Sequence, residues 1–125
     1  MKKNAGFTLI ELVAVMVILA ILAVVAVPQF VDMRTEARQA ATDGVAGALS
    51  SASALNYAVE MADSTKGKAV GDCDEVGALL QGGMTPGYTI TSAPVAEGVQ
   101  VTCTVVNDDD ATVDAKFVAI GVVVP

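Results

Sequence analysis

The chain has 125 residues, which is enough for one small domain but not for two. Hydrophobic residues make up 54% of it and aromatic residues only 4%, so a folded domain would have few large side chains with which to build its core. The net charge of −7 and the absence of histidine argue against a basic nucleic-acid-binding surface, a zinc site and most catalytic chemistry.

A short basic head and a long apolar run open the chain. Lys2 and Lys3 precede a block from Leu12 to Pro28 that contains no charged or hydrogen-bonding side chain. This order of charge and hydropathy is typical of an export or membrane signal. One interpretation is a secretory signal peptide cut after Ala26. Another is a plain membrane anchor over residues 7–27, which has about the 20 residues that a helix needs to cross the hydrocarbon core.

Glu11 is a carboxylate near the front of the apolar run, and neither interpretation explains it. A charged acid costs on the order of 2.5–3.5 kcal/mol at the bilayer centre, and less near an end, so it needs a partner. A cut after Gly6 would leave Phe7 as a free ammonium on the same helix face as Glu11. Between chains, Glu11 of one subunit would pair with the N-terminus of another and set their axial register.

Gly6 followed by FTLIEL at residues 7–12 resembles the cleavage and assembly motif of type IV pilins. The resemblance implies that a prepilin peptidase cuts after Gly6 and methylates the new N-terminal Phe7. It also implies that Glu11 is the register-setting acid. The fold that it implies is the type IV pilin fold of the α+β class, in which a long N-terminal α-helix packs on a small C-terminal antiparallel β-sheet.

A second helical pattern follows Pro28, at which we expect a helix kink. The helix is predicted from residue 7 to about residue 62. Gly44 and Gly47 each cost about 1 kcal/mol relative to alanine in a helix interior, so we interpret them as a site of close packing or of flexibility. The face that packs on the sheet is predicted from apolar residues at helical spacing, namely Ala37, Ala41, Val45, Ala48, Ala52, Leu55 and Val59.

Along this helix the resemblance indicates one particular class of type IV pilins. Its segments at residues 27–30, 36–41, 47–49 and 55–58 are similar to those of the mannose-sensitive haemagglutinin class of pilins. The organisation that follows is a cleaved leader (1–6), a hydrophobic half-helix for the membrane and the filament core (7–30), and a globular pilin domain (31–125) formed by an amphipathic half-helix (31–62) and a loop with a β-sheet (63–125).

The C-terminal half is predicted to form a loop, a short helical turn and three strands. Residues 63–72 are polar and contain glycine, which predicts a loop leaving the helix. Asp72 or Asp74 would cap a short helical turn that extends through Leu80. The three predicted strands are Tyr88–Thr91, Val99–Val106 and Val113–Val124.

Two cysteines, Cys73 and Cys103, lie thirty positions apart, which is not a metal-ligand spacing. In an exported protein the simplest interpretation is one disulfide, which would stabilise the fold by roughly 3–4 kcal/mol. Two buried free thiols are the alternative, and they would fit a cytosolic location. A disulfide commonly closes the C-terminal region of pilins, so the resemblance implies that Cys73 pairs with Cys103.

The acidic run Asn107–Asp110 lies between the last two predicted strands and predicts the turn of an antiparallel hairpin. Clustered carboxylates also suit calcium, which leaves the role of Asp108–Asp110 open. The run lacks alternating oxygen ligands and a closing glutamate. We therefore expect a solvated turn, with no metal and no cofactor.

The function implied by the resemblance is that of a structural subunit of a type IV pilus, which serves adhesion, surface interaction or motility. Its partners would be copies of itself in a helical filament, the prepilin peptidase and the inner-membrane assembly machinery, with no nucleic acid bound by the subunit. The chain would span the inner membrane once before assembly and then lie in the extracellular pilus. A pseudopilin of a type II secretion system and a minor pilin are the alternatives.

No enzymatic activity is expected, because the sequence has no phosphate-binding glycine loop and no Ser or Thr with a base beside it.

Overall fold

The computed structural model describes residues 6–125, apart from the side chains of residues 31 and 32. A long N-terminal helix is followed by a short 3-10 helix and a small antiparallel sheet, which confirms the predicted α+β class. The elements are α1 (Leu9–Ala62), the 3-10 helix (Cys73–Leu79), β1 (Tyr88–Ile90), β2 (Gln100–Asn107) and β3 (Asp110–Ile120).

The chain divides into two compact units, one ending at Glu36 and the other comprising Ala37–Pro125. Helix α1 contributes its first part to the first unit and its remainder to the second. The second unit contains the 3-10 helix, all three strands and the hydrophobic core.

The sheet has the order β1-β2-β3, and both pairs of neighbours are antiparallel. Cys103 of β2 lies opposite Phe117 of β3, and Asn107 lies opposite Asp110 after a register shift at residues 106–107. Because pairing with β2 reaches Asp110, β3 begins before the predicted Val113. It ends at Ile120 because its partner strand ends there, at Gln100.

The core lies between the sheet and the second part of α1. Alternation along the strands buries one face of the sheet, as expected for a sheet with one solvated side. Phe117 and Leu49 are the largest fully buried side chains. The rest of the cluster is small and consists mainly of Ala46, Val70, Cys73, Val76, Val95, Cys103, Val105, Ala115 and Ala119.

The predicted packing face of α1 is wrong by one residue. Of the predicted stripe, Ala37, Ala41, Ala48 and Leu55 are exposed. One residue along an α-helix corresponds to about 100°, so the true packing face is rotated by that angle. The residues of α1 that are buried against the sheet are Thr42, Ala46, Leu49 and Ser53.

Polar side chains of α1 explain this rotation, because they hydrogen-bond the free edge of β3. The Ser50 and Ser53 hydroxyl oxygens accept hydrogen bonds from the backbone N–H groups of Val118 and Ile120 at 3.0 and 2.9 Å. Gln39 Nε2 donates to the carbonyl oxygen of Asp114 at 2.9 Å. An edge strand covered by a helix needs such partners, and alanine cannot provide them.

Gly44 and Gly47 do not mark close packing within the chain. A Cβ atom added at either position would meet no heavy atom of the described residues within 4 Å, helix backbone aside. Both glycines are exposed, on the part of the helix that faces away from the sheet.

Candidate functional site

Thr8 and Glu11 form a capping box at the start of α1. The Thr8 backbone N–H and hydroxyl donate to Glu11 Oε2 at 3.0 and 2.8 Å, and Thr8 Oγ1 accepts from the Glu11 backbone N–H at 3.3 Å. The carboxylate therefore lies on the first turn of the helix, at the positive end of the helix dipole. Thr-x-x-Glu before an apolar run is a capping pattern, so the sequence itself contains the signal that identifies Thr8.

Gly6 and Phe7 precede the helix in irregular structure. Phe7 is 85% exposed, and a Cβ atom on Gly6 would meet no heavy atom of the described residues within 4 Å. Packing within the described chain therefore does not require glycine at position 6. The bond between Gly6 and Phe7 lies in an open segment, directly before the capping box.

The apolar side chains that the structure describes in the first unit are exposed. From Gly6 to Phe30 every described residue has an exposed side chain, with large hydrophobic residues ranging from 50% exposed at Val13 to 85% at Leu9. By length and composition alone, α1 is the one described helix that could cross a membrane. Contiguous apolar surface of this extent marks a site for lipid or protein contact.

Pro28 lies inside α1, which continues through it. Proline has no backbone N–H, so the carbonyl oxygen of Val24 loses its usual helical partner. The structure thus retains helix on both sides of Pro28. The kink that we expect there stays a prediction.

Cys73 and Cys103 form a disulfide in the buried core. It joins the first residue of the 3-10 helix to the middle of β2. No free cysteine remains. The disulfide thereby fixes the segment between residues 73 and 103, which has little regular structure of its own, onto the sheet.

Asp72 holds the start of the 3-10 helix and a second loop together. Its carboxylate accepts hydrogen bonds from the Asp74 and Ala93 backbone N–H groups, at 3.3 and 2.9 Å, and from the Ser92 hydroxyl at 2.9 Å. Partial desolvation acts to raise the pKa of Asp72, but these hydrogen bonds outweigh it and leave the pKa below its ordinary value. The predicted cap at Asp72 is thus present, and it reaches across to the 92–93 loop.

The acidic turn between β2 and β3 is braced by hydrogen bonds. Asp108 accepts a hydrogen bond from the Thr89 hydroxyl at 2.6 Å. Asp110 accepts from the hydroxyl and the backbone N–H of Thr112, at 2.6 and 3.1 Å, and lies 3.7 Å from the Arg38 guanidinium. The Thr112 hydrogen bonds, with Arg38 as a weaker cause, lower the pKa of Asp110. Among the side chains that the structure describes, no group of three that could hold a metal ion occurs.

Comparison with known proteins yields two matches. The sequence model of the family described as "Prokaryotic N-terminal methylation motif" matches residues 1–27. The chain is also 42% identical, over 88 residues, to the type IV narrow pilus major component PilA5 of Thermus thermophilus. That alignment covers 70% of this chain and 70% of the relative. No solved structure gives a significant match.

Proposed function

The chain belongs to the type IV pilin family, and from this premise we propose that residues 7–125 are the repeating subunit of an extracellular type IV pilus. The observation that carries the proposal is the exposed apolar surface of residues 7–30. Such a surface is not stable in water and must be covered. Two successive environments would cover it, first lipid and then the same segment of neighbouring subunits.

The first environment is the inner membrane, which the segment 7–30 spans once. Lys2 and Lys3 stay on the cytoplasmic side, in agreement with the tendency of basic residues to remain there. A helix satisfies its backbone hydrogen bonds internally, which makes it suitable for hydrocarbon. The unit Ala37–Pro125, with its disulfide, would then face an oxidising compartment, where such a bond persists.

Processing removes residues 1–6 and creates a new N-terminus at Phe7. The match to the N-terminal methylation motif over residues 1–27 supports cleavage after Gly6 by a prepilin peptidase and methylation of Phe7. The open environment of Gly6 supports it as well, because nothing in the described chain has to move for an enzyme to approach the bond. Cleavage also removes two positive charges and takes the net charge from −7 to −9.

Glu11 then sets the register between subunits. Both hydrogen bonds that its carboxylate accepts from Thr8 go to Oε2, and no hydrogen bond from residues 6–125 reaches Oε1. The hydrogen bonds from Thr8 satisfy one carboxylate oxygen as an acceptor, but they do not neutralise the negative charge. In apolar surroundings that charge also needs an opposite charge beside it. The Phe7 ammonium of a neighbouring subunit supplies that charge, and only one axial offset between subunits brings the two groups together.

The proposal is tested by locating the chain in cells. Cells that express it are sheared, the released filaments are separated from membranes, and an antibody against the C-terminal unit is applied to both fractions and to the filaments by immunogold microscopy. Labelling along the length of sheared filaments is expected of a repeating subunit. A processed chain that stays only in the membrane fraction would instead make it a pseudopilin, and labelling confined to filament tips would make it a minor pilin.

A further inference from the structure

A groove of about 390 Å³ lies beside residues 52–59 of α1, within the unit Ala37–Pro125. We call it the lysine groove, because two ammonium groups accompany its apolar floor. Leu55 on this floor is 66% exposed, which is unusual for a leucine on the folded unit. The residues that line the groove include Leu55, Val59, Leu79, Leu80, Lys66 and Lys68.

The backbone that carries the two lysines is fixed against α1. Asn56 exchanges two hydrogen bonds with the backbone of Lys68, both of 2.8 Å. Gly67 packs so closely that an added Cβ atom would lie 2.7 Å from the Cβ atom of Glu60. The positions of Lys66 and Lys68 beside the groove are therefore set by the fold.

The two lysines differ in how their charges are used. Lys66 Nζ lies 3.2 Å from a carboxylate oxygen of Asp63. Lys68 Nζ donates only to the carbonyl oxygen of Ala78, at 3.4 Å, and forms no salt bridge with the residues that the structure describes. Lys68 thus presents a positive charge, next to an exposed leucine, that the chain itself leaves without a carboxylate.

Exposed aspartate side chains lie beside a different position along α1, within the same unit. In the turn at residues 107–110, Asp108 and Asp109 are exposed. The turn is located beside residue 38 of α1, because Asp110 pairs with Arg38. Hydrogen bonds hold the turn in place, because Asp108 accepts one from the Thr89 hydroxyl and the Asp109 N–H donates one to the Asn107 side chain.

The turn and the groove cannot meet within one chain. Arg38 and Leu55 are 17 positions apart on α1, which corresponds to about 26 Å along a helix with a rise of 1.5 Å per residue. An aspartate side chain spans only a small part of this distance. Contact between the two features therefore requires two copies. A head-to-tail contact between different surfaces of identical subunits gives a ring when the rotation closes and an open helical filament when it does not, and the proposed filament is the second case.

Net charge makes such a contact selective. After processing, each subunit carries a charge of −9, so subunits in a filament repel one another. A pairing of the remaining cations with a neighbour's carboxylates opposes this repulsion, and like-charge contacts disfavour other registers. Among the cations of the unit Ala37–Pro125, Arg38 and Lys116 already lie beside Asp110 and Asp114 of their own chain, which makes the lysine groove the better acceptor within this unit.

We propose that the 107–110 turn of one subunit docks in the lysine groove of another, with Asp109 paired to Lys68. The inference rests on the proposed assembly of the chain into a filament, and it adds a specific head-to-tail contact between the folded units. The exposed Pro86 lies next to Gly87, whose carbonyl oxygen accepts the Asp108 N–H at 3.0 Å, and it offers apolar surface for Leu55.

Charge reversal in full-length chains tests the contact, with the yield of sheared filaments as the readout. Lys68→Glu is expected to lower the yield about tenfold, because a like-charge contact replaces an attractive one. Lys116→Glu makes the same charge change on the sheet, and its yield should stay close to that of the wild type. Combining Lys68→Glu with Asp109→Lys should restore filaments. An unchanged yield for Lys68→Glu, or no recovery in the combined variant, would overturn the proposal.

A cross-linking experiment tests the same contact without changing the charge balance as strongly. The variant with both Lys68→Cys and Asp109→Cys should give a ladder of disulfide-linked multimers when filaments are run without reductant. Lys116→Cys with Asp109→Cys should give none. Filaments that contain only monomers in the first variant would contradict the contact. The wild-type sample distinguishes a failure of this contact from a failure of the proposed function, since sheared filaments that lack the chain would refute the proposed function itself.

Discussion

Glu11 combines two roles that can be separated by mutation. It completes the capping box with Thr8, and it carries a negative charge at the front of an apolar segment. A capping box accepts glutamine as well as glutamate, since only the acceptor oxygen is required. A role in register requires the charge. The same residue therefore gives different outcomes under two substitutions.

Glu11→Ala and Glu11→Gln should both leave membrane insertion and cleavage intact and reduce filament yield at least about tenfold, because an ammonium group without its carboxylate is left in apolar surroundings. Filaments are quantified in the sheared fraction, and the processed chain is quantified in membranes. If Glu11→Gln assembled as well as the wild type while Glu11→Ala did not, the capping box alone would account for the residue. Normal filament numbers in both variants would remove the role in register.

Gly6→Leu should block processing. The structure leaves space for a side chain at position 6, so the substitution does not disturb the described fold and acts on recognition by the peptidase. The full-length precursor is expected in the inner membrane, with the Cys73–Cys103 disulfide intact as a sign that the folded unit has formed. Gly47→Leu, on the exposed side of α1, is the control and should be cleaved normally. Mature chain in the Gly6→Leu strain would show that the cut lies elsewhere.

At the scale of elements, the order of helix and strands could be predicted from the sequence, but the packing face of α1 could not. The alternation of Val101, Cys103 and Val105 identifies β2 and its buried face, because one strand face is apolar and the other is not. Helix α1 lacks such contrast. Its alanines fit either a buried or an exposed face, and the decisive residues are the serines that satisfy the edge of β3.

In the same way, the candidate site residues that belong to a contiguous motif could be predicted from the sequence, whereas those brought together by the tertiary fold could not. Gly6, Phe7 and Glu11 are identified by a contiguous motif, which a sequence displays directly. The lysine groove is formed by α1, the loop after it and the end of the 3-10 helix. Nothing in the spacing of Leu55, Lys68 and Leu80 indicates that they meet. Their proximity depends on how the loop folds back on Asn56.

The packing of α1 on β3 gives a matched pair of variants. Ser53 is fully buried and accepts the hydrogen bond from the Ile120 N–H, so Ser53→Ala leaves a buried donor unsatisfied. The free energy of unfolding should fall by about 1–3 kcal/mol. Ser51→Ala, on the exposed side of the same helix turn, should have little effect. Urea titration of the full-length protein in detergent measures both, and equal stabilities would contradict the role of Ser53.

On the scale of the whole molecule, the two units have opposite relations to water. Residues 6–30 expose every described side chain, whereas the unit Ala37–Pro125 has a small core closed by a disulfide. The first unit cannot be stable in water without lipid or other chains, and the second has its own buried cluster. This division suits a chain that is held in a membrane and then assembled through the same segment.

Stability should fall in acid. The pKa values of Asp63, Asp72 and Asp110 are lowered in the folded state, so below the ordinary value of 3.8 the unfolded chain binds more protons. Their contribution is complete above that pH and is lost as the pH falls through the lower folded-state values. The difference in unfolding free energy between wild type and Asp110→Asn should shrink between about pH 4 and pH 2. A difference that stays constant would contradict this account, and Asp109→Asn serves as the control.

Intact mass spectrometry of sheared filaments would show whether the chain is cut after Gly6 and assembled into a surface filament. We expect the mass of Phe7–Pro125 with a net gain of one CH2, because a methyl group replaces a hydrogen on the Phe7 nitrogen, and a loss of two hydrogens from the Cys73–Cys103 disulfide. A chain of full length, a chain that begins after Ala26, or the absence of this chain from sheared filaments would contradict this expectation.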